Sequence, residues 1–214
     1  MLKMKNVVLL LALSGTIFAS GCAPVLIGGA ALTTATVVTD RRSTGSIVAD
    51  EMLEKRVVYN IVEAVGKDNI HVTVTSFEGK ILLTGEVLTQ VQKQKAQDVA
   101  RLSLDVKSVV NELAVMEHSS VATRLSDTLL ANKVRASLFS SQDTSLNQVK
   151  VVVDRKIVYL MGIVTRAEAN IITNKVAQIA DVQQVVNCFT FATQEEIKRR
   201  MPEMQSPKDD NRDN

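Results

Sequence analysis

The chain has 214 residues and a formal net charge of +2, with 46% apolar residues and only 3% aromatic residues. This length allows one medium or two small domains, and the apolar fraction allows an aliphatic core of Val, Ile, Leu and Ala. The small net charge excludes bulk electrostatic attraction to nucleic acid, so no nucleic-acid partner is expected. An anionic partner would have to be held by a local patch of cations.

The first 21 residues have the layout of a secretory signal. Two lysines precede a short apolar run, Val7 to Leu13, and small residues follow it. The run is shorter than the roughly 20 apolar residues that a membrane-spanning helix needs. These features predict a signal peptide that ends close to Cys22.

The four residues that end at Cys22, ASGC, resemble the bacterial lipobox, with alanine at the first position where leucine is usual. The resemblance implies cleavage before Cys22 and acylation of this residue. Because Ala23 follows, and not aspartate, it also implies sorting to the outer membrane, with the protein facing the periplasm. An ordinary signal peptide with an incidental cysteine is the alternative.

The chain has two cysteines, Cys22 and Cys188. If Cys22 is acylated, no intramolecular disulfide can form, and the fold must hold without one. Cys188 is then expected to be a small residue at a sheet position. A reactive thiol or an intermolecular disulfide is the alternative for Cys188.

The mature sequence repeats itself with a period near 77 residues. Residues 71–87 align with 148–164, and they place Gly85 over Gly162. After a one-residue deletion, DVKSVVN at 105–111 aligns with DVQQVVN at 181–187. Identities in register over this length indicate two copies of one domain.

Each copy opens with a predicted helix whose apolar residues recur every fourth position on one face. Ser126-Asp127 is predicted to be the N-cap of the helix that opens the second copy. The apolar stripes are Leu53, Val57 and Ile61 in the first copy and Leu130, Val134 and Leu138 in the second.

A predicted hairpin, a second helix and a last strand follow in each copy. Gly85 and Gly162 are expected to close the second hairpin strand at a sharp turn. The hairpin turns fall at residues 78–80 and 154–156, the second helices at about 91–104 and 167–180, and the last strands at 109–115 and 185–191.

The predicted fold class is α+β: two tandem αββαβ domains, each a three-stranded mixed sheet covered by two helices. A copy of about 65 residues buries little surface alone, so the copies are expected to pack on each other. The predicted boundaries are 1–21 for the signal peptide, 22–45 for the acylated N-terminus and tether, 46–117 and 126–193 for the domains, 118–125 for the linker and 194–214 for a disordered tail.

This order of elements, the glycines within LLTGEV and YLMGIV, and the closing segments DVKSVVNELAV and DVQQVVNCFTF resemble BON domains. The mature chain is similar to the dual-BON outer-membrane lipoproteins. TDRRSTG at 39–45 and SDTLLANKVRASL at 126–138 resemble their DolP-type branch. The resemblance implies binding of anionic phospholipid, phosphatidylglycerol or cardiolipin, through the first helix of the second domain. It also implies support of envelope integrity near division sites.

The residues give no indication of an enzyme, a metal site or a cofactor. His71 lies at the entry of a predicted strand and His118 in the linker, and no Cys/His/carboxylate set has metal-ligand spacing. Glycine is scarce, and no phosphate-binding loop motif is present. We therefore expect no catalytic residues and no cofactor.

The helix at 130–138 carries residues that its predicted buried stripe does not explain. Apolar residues among cations are typical of a helix that lies on a membrane surface. The predicted phospholipid-binding residues are Leu129, Asn132, Lys133, Arg135, Ala136 and Phe139. Two alternatives stay open: Leu129 and Phe139 pack against the first copy, or this surface or the groove between the domains docks an envelope-assembly, peptidoglycan-remodelling or division protein.

Overall fold

The computed structural model describes residues 44–67, 70–140 and 148–200. Cys22, the predicted signal peptide and most of the predicted tether lie outside these residues. The core residues among them run from Leu53 to Ile197. A chain that begins at Ala23 therefore keeps both complete cores.

The first domain has the predicted αββαβ order. β1 pairs antiparallel with β2, and β3 and β4 both pair parallel with β2. The predicted last strand is thus divided in two, because Leu113 turns inward between its halves and is 1% exposed. The elements are α1 (Thr44–Val65), β1 (Ile70–Phe77), β2 (Lys80–Val87), α2 (Gln90–Leu102), β3 (Ser108–Asn111) and β4 (Ala114–Val115).

The second domain repeats this arrangement and adds a short helix at its end. β5 pairs antiparallel with β6, whereas β8 pairs parallel with β6 and β9 parallel with β7. The α+β class and the mixed sheets are confirmed. The elements are α3 (Val121–Phe139), β5 (Lys150–Asp154), β6 (Ile157–Met161), β7 (Ile163–Val164), α4 (Arg166–Ala177), β8 (Gln184–Asn187), β9 (Thr190–Phe191) and α5 (Gln194–Arg200).

Both predicted helix stripes are buried. Each packs with its sheet and with the second helix of its domain in a separate aliphatic cluster, which explains the absence of tryptophan and the scarcity of aromatic residues. The stripe residues, each at most 5% exposed, are Leu53, Val57 and Ile61 in α1 and Leu130, Val134 and Leu138 in α3.

The predicted N-cap at Ser126-Asp127 is wrong. α3 begins five residues earlier, after Ser120, whose Oγ accepts a hydrogen bond from the Thr123 backbone N–H at 3.1 Å. Asp127 instead lies buried within the helix and accepts hydrogen bonds from the backbone N–H groups of Arg155 at 2.8 Å and Lys156 at 3.0 Å. Its carboxylate thereby holds the β5–β6 turn.

Asp50, the repeat counterpart of Asp127, does the same in the first domain. Its carboxylate accepts from the backbone N–H of Glu78 at 2.8 Å, from that of Gly79 at 3.0 Å and from the Ser76 hydroxyl at 2.6 Å. Glu78 has a positive φ of 50°, so the turn adopts a conformation that a non-glycine residue takes at some energetic cost. The aspartates supply the hydrogen bonds that stabilise these turns.

The prediction that Gly85 closes its strand is also wrong. β2 continues through Gly85 to Val87, and Gly85 has a φ of +109°. A Cβ at this position would collide with the backbone carbonyl of His71 on β1. The glycine is therefore required by the close approach of two paired strands and not by a turn. Gly162 does interrupt the chain between β6 and β7.

The two domains pack through their sheets, as expected for copies that bury little surface alone. The sheet faces turned away from the helices meet in a third cluster, so the layers run helix, sheet, sheet, helix. Lys80 of β2 adds hydrogen bonds from its Nζ to the backbone carbonyls of Cys188 at 3.3 Å and Phe189 at 2.9 Å. The buried members of this cluster are Phe77, Leu82, Tyr159, Met161, Ile163, Cys188 and Ile197.

The prediction of disorder from residue 194 onward is wrong for residues 194–200, which form α5. Thr193 caps this helix by accepting from the Glu196 backbone N–H at 3.2 Å. Ile197 is 1% exposed in the cluster between the sheets, and Arg200 donates to both carboxylate oxygens of Glu78 at 3.0 Å. One buried isoleucine and one ion pair carry no periodic signal, which is why the sequence pattern missed the helix.

Candidate membrane-binding surface

The side of α3 opposite its buried stripe carries an exposed row of apolar residues, here called the outer face of α3. Because successive helix residues turn by about 100°, these residues fall within about 80° of the helix surface. The centre of the row lies almost diametrically opposite the centre of the buried stripe. The outer face consists of Val121, Leu125, Leu129, Ala136 and Phe139, together with Asn132.

Two of the predicted residues, Leu129 and Phe139, are each 62% exposed. The alternative that these two side chains pack against the first domain is therefore wrong. Asn132 and Ala136 are exposed between them on the same side of the helix. The structure thus brings four predicted residues together on one accessible surface.

Two members of the outer face were missed from sequence. Val121 and Leu125 are 73% and 60% exposed and continue the row by one turn each toward the helix N-terminus. The spacing of four from Val121 to Leu125 to Leu129 was available as a signal. It was missed because the helix was expected to begin at Ser126, which assigned both residues to the linker.

The predicted cations Lys133 and Arg135 lie at the two edges of the outer face, each about 40° outside the apolar row. Lys133 Nζ donates to the Ala180 carbonyl at 3.2 Å and lies 3.6 Å from the Asp181 carboxylate. The Lys133 and Asp181 side chains are 50% and 65% exposed, so this ion pair is well solvated.

The Arg135 guanidinium is tied more firmly to the protein than Lys133 is. It donates to the Asn132 side-chain carbonyl at 3.1 Å and to the Val151 carbonyl at 2.8 Å. A guanidinium has five N–H donors and an ammonium has three, so both cations keep donors for an anion. α3 contains three basic residues and one acidic residue, Asp127, which is buried.

Helix α1 exposes a similar row, with Val48 at 53%, Met52 at 59% and Tyr59 at 65% exposure. The row is interrupted by Lys55, the repeat counterpart of Asn132. α1 has four acidic and two basic residues, so its charge balance is opposite to that of α3. The two helices share exposed apolar residues and differ in the charges around them.

Cys188 occupies the sheet-to-sheet cluster and is 5% exposed. Burial, with a smaller contribution from Glu112, raises the pKa of its thiol to about 11. A protonated, buried thiol is a poor nucleophile. The position therefore fits a small core residue better than a reactive thiol or an intermolecular disulfide.

The two histidines, which looked scattered along the sequence, meet in the fold. The rings of His71 and His118 stand edge to face with centroids 6.5 Å apart, and His71 Nδ1 lies 2.9 Å from the Glu86 carboxylate. Burial has the largest single effect on the pKa of Glu86 and raises it, but the hydrogen bonds with His71 and Ser119 and the charge of His71 together outweigh burial, so the net pKa lies below the usual value. Within the described residues, no group of three or more His, Cys, Asp or Glu side chains fits a metal ion.

None of the helices among the described residues is long and apolar enough to cross a membrane.

The family model for the BON domain matches residues 49–117 and 126–193, and the chain therefore belongs to the BON family. The outer membrane lipoprotein DolP of Haemophilus influenzae is 35% identical over 181 residues, which cover 84% of this chain and 93% of that protein. With two BON domains and this similarity, the chain is a dual-BON, DolP-like lipoprotein of the outer membrane.

A second relative, the 21 kDa hemolysin of Actinobacillus pleuropneumoniae, is 27% identical over 71% of this chain and 79% of its own length. A solved structure of CdsD, a structural protein of the type III secretion system of Chlamydia trachomatis, covers 71% of this chain at 14% identity. Its TM-score of 0.29 is too low to support a conclusion about fold or function.

Proposed function

We propose that this lipoprotein binds anionic phospholipid through the outer face of α3, as a second membrane contact besides an acyl anchor at Cys22. The single observation that carries the proposal is the exposed apolar row on α3. Lys133 and Arg135 flank this row on its two sides, and the one acidic residue of the helix is buried. Apolar side chains would enter the acyl region while the flanking cations meet lipid phosphates. The role is binding and not catalysis.

The energies involved fit a reversible contact. Each cation near an anionic leaflet contributes about 1 kcal/mol, and each fully buried leucine or phenylalanine contributes roughly 1.5–3 kcal/mol. Partial insertion of Leu129 and Phe139 with two cations then gives weak binding in solution. An acyl anchor at Cys22 would raise the effective concentration of α3 at the membrane and make this weak contact sufficient.

Vesicle sedimentation with the soluble chain 23–214 tests the proposal. Wild type should sediment with phosphatidylcholine vesicles that contain phosphatidylglycerol or cardiolipin and should not sediment with phosphatidylcholine alone. Leu129→Glu combined with Lys133→Glu should weaken this binding at least tenfold, because it removes an inserting side chain and reverses an attractive charge.

The repeat supplies a matched control for this experiment. Met52→Glu with Arg56→Glu alters the equivalent positions of α1 and should leave vesicle binding unchanged. Circular dichroism should show that both double variants are folded. No binding by wild type, or equal binding by both double variants, would contradict the lipid proposal.

The competing function is that of a protein-binding adaptor. Crosslinking from the outer face of α3 distinguishes this function from lipid binding. A photocrosslinking residue at Ala136 in the full chain should label phospholipid. A crosslinked envelope-assembly, peptidoglycan-remodelling or division protein in its place would favour the adaptor.

The anchor and the cellular role have their own tests. Mass spectrometry of the mature N-terminus should find an acylated Cys22, and Cys22→Ser should release the protein from the membrane. The lipid contact should support envelope integrity near division sites. A fluorescent fusion should therefore lose division-site enrichment in the α3 double variant and keep it in the α1 control.

A further inference from the structure

A cleft lined by both polar and apolar residues runs between the domains beside α3 and is here called the interdomain cleft. It has a volume of about 480 Å³ and lies between β1 of the first domain and α3 with β5 of the second. This volume is within the range of small-ligand sites, roughly 300–1,000 Å³. The cleft opens along the flank of α3, about a quarter turn from the outer face.

Two cations of α3 line this cleft. Arg124, Thr128, Ala131 and Arg135 form a row at helical spacing along the flank. Within the described residues, no ion pair or side-chain hydrogen bond engages the Arg124 guanidinium. Arg135 uses two donors on Asn132 and Val151 and keeps three. Both guanidiniums therefore remain able to bind an anion.

Two of the other charged groups of the walls, Lys150 and Asp154, are paired with opposite charges. Lys150 Nζ bonds Glu54 at 2.7 Å, so this cation contributes no excess charge. Asp154 Oδ2 accepts from Arg155 Nη2 at 2.9 Å. Asp127 bonds two backbone N–H groups and keeps its negative charge, which two arginines, Arg124 and Arg135, outnumber. The uncompensated charge of the cleft is therefore positive.

Threonine hydroxyls form the floor of the cleft. Thr75 and Thr84 are only 6% and 2% exposed, yet both line the cleft, with Thr73 beside them. Within the part of the chain that the structure describes, no hydrogen bond engages these three hydroxyls. These threonine hydroxyls retain access to solvent through the cleft, so they are available to bond a ligand that enters it. A hydroxyl both donates and accepts, so they can bond the oxygen atoms of a ligand.

We propose that the interdomain cleft binds a phosphodiester with a hydroxylated headgroup. Arg124 pairs with the phosphate, and the threonine hydroxyls bond the headgroup oxygens. Arg135 lies at the other end of the row of cleft residues on α3. The Cα atoms of the two arginines stand about 16 Å apart along the helix, so one phosphate meets one of them. Guanidinium pairing with phosphate is a strong, bidentate interaction.

Two sources offer this chemistry: a lipid headgroup and a soluble phosphate ester. If the outer face of α3 rests on a bilayer, the cleft opens at headgroup level, and this lipid source rests on the proposed function. The phosphodiester site itself does not rest on the proposed function, because a water-soluble ligand can enter the cleft without a membrane.

The test begins with glycerophosphoglycerol, the deacylated headgroup of phosphatidylglycerol, added to the soluble chain 23–214. Amide NMR should show saturable shifts at Thr75, Thr84 and Arg124 and none at Leu129. Arg124→Gln with the isosteric Thr84→Val should weaken this binding at least tenfold. Arg101→Gln, which removes an exposed cation at the end of α2, is the control and should bind as wild type.

Vesicle sedimentation then separates the sources. If the phosphate is that of a headgroup, Arg124→Gln weakens binding to phosphatidylglycerol vesicles at least threefold, while Leu129→Glu still binds glycerophosphoglycerol. If Arg124→Gln changes only glycerophosphoglycerol binding, the site is supported with a soluble ester as its ligand. Absence of shifts with wild type overturns the cleft proposal, even if Leu129→Glu abolishes vesicle binding. The surface variant Arg124→Gln keeps the test valid should Thr84→Val fail to fold.

Discussion

The two BON domains share their buried framework and differ in what they expose. α1 and α3 use the same positions of the repeat to bury a stripe of three aliphatic residues and to hold a hairpin turn with an aspartate. Their outer sides carry opposite charge balances, four acidic and two basic residues in α1 against one and three in α3. The two copies thus share their packing and differ in their exposed charges.

The inner sheet faces have diverged as well. Glu86 of β2 corresponds to Ile163, and Glu112 corresponds to Cys188. Because these faces meet each other across the domain interface, each copy had to fit a partner with a different surface. The first domain keeps carboxylates at these two positions, and the second domain has a buried isoleucine and a buried cysteine.

The largest effect expected within this comparison concerns the turn aspartates. Asp50→Ala and Asp127→Ala should each lower the free energy of unfolding by about 3 kcal/mol, because charge-assisted hydrogen bonds are lost and backbone N–H groups stay buried. Asp50→Ala should cost more, since Asp50 has one more partner. Urea unfolding measures both losses, with Asp98→Ala as control, whose exposed carboxylate bonds only the Gln94 side chain. A loss below about 1 kcal/mol for either variant would contradict this role.

The second prediction sharpens the contrast between Cys188 and Glu112. With its pKa raised from 9.0 to about 11, the Cys188 thiol has about 100-fold less thiolate at pH 8 than an exposed cysteine. Maleimide labelling of the soluble chain should be at least that much slower in buffer than in urea. Glu112→Cys in a Cys188→Ala background should label faster, because position 112 is half-buried. Rapid labelling of folded wild type would show that the interface opens.

The third prediction extends the lipid surface to the residues that sequence analysis missed. Val121→Ser with Leu125→Ser should weaken binding to phosphatidylglycerol vesicles about tenfold, as expected when roughly 1.4 kcal/mol of apolar contact is lost. Val48→Ser, at the repeat counterpart of Leu125, should have no effect. Equal binding by both variants would restrict the contact to the C-terminal half of α3.

The smallest effect concerns Glu86, which the second domain replaces with an isoleucine. Because its folded-state pKa lies below the ordinary value of 4.5, the ionised carboxylate stabilises the fold above that pH. This contribution should decline as the pH falls from 4.5 through the folded-state pKa. Urea unfolding between pH 6 and 3 should show a shallower decline for Glu86→Gln than for wild type. If the stabilities of wild type and Glu86→Gln decline in parallel, the loss of stability in acid comes from other carboxylates.

Periodicity and the repeat were sufficient to predict the αββαβ order, both buried stripes and the hairpin turns. Each depends on residues a few positions apart, whose side chains meet within one element or one turn. The two copies also checked each other, because a pattern present twice at one offset is unlikely to arise from composition. The location of the two exposed side chains Leu129 and Phe139 followed from the same periodicity.

The remaining features depend on contacts between distant segments. Asp127 looked like a helix cap because aspartate favours that position, yet its hydrogen-bond donors lie 28 and 29 residues further along. The glycine at 85 is fixed by the carbonyl of His71 on the paired strand. The interdomain cleft requires the packing of two sheets. None of these contacts has a local signature.

Helix α5 has a consequence for the order in which the protein can be completed. The face of the first sheet that bears Phe77 and Leu82 is finished only when the second domain and Ile197 cover it. The second domain and α5 follow the first domain in the chain. During synthesis, this apolar face of the first sheet therefore stays exposed until Ile197 has left the ribosome. A chain shortened before α5 would retain both family domains and still present a gap at their seam. The seven residues of α5 therefore complete the packing between the two sheets.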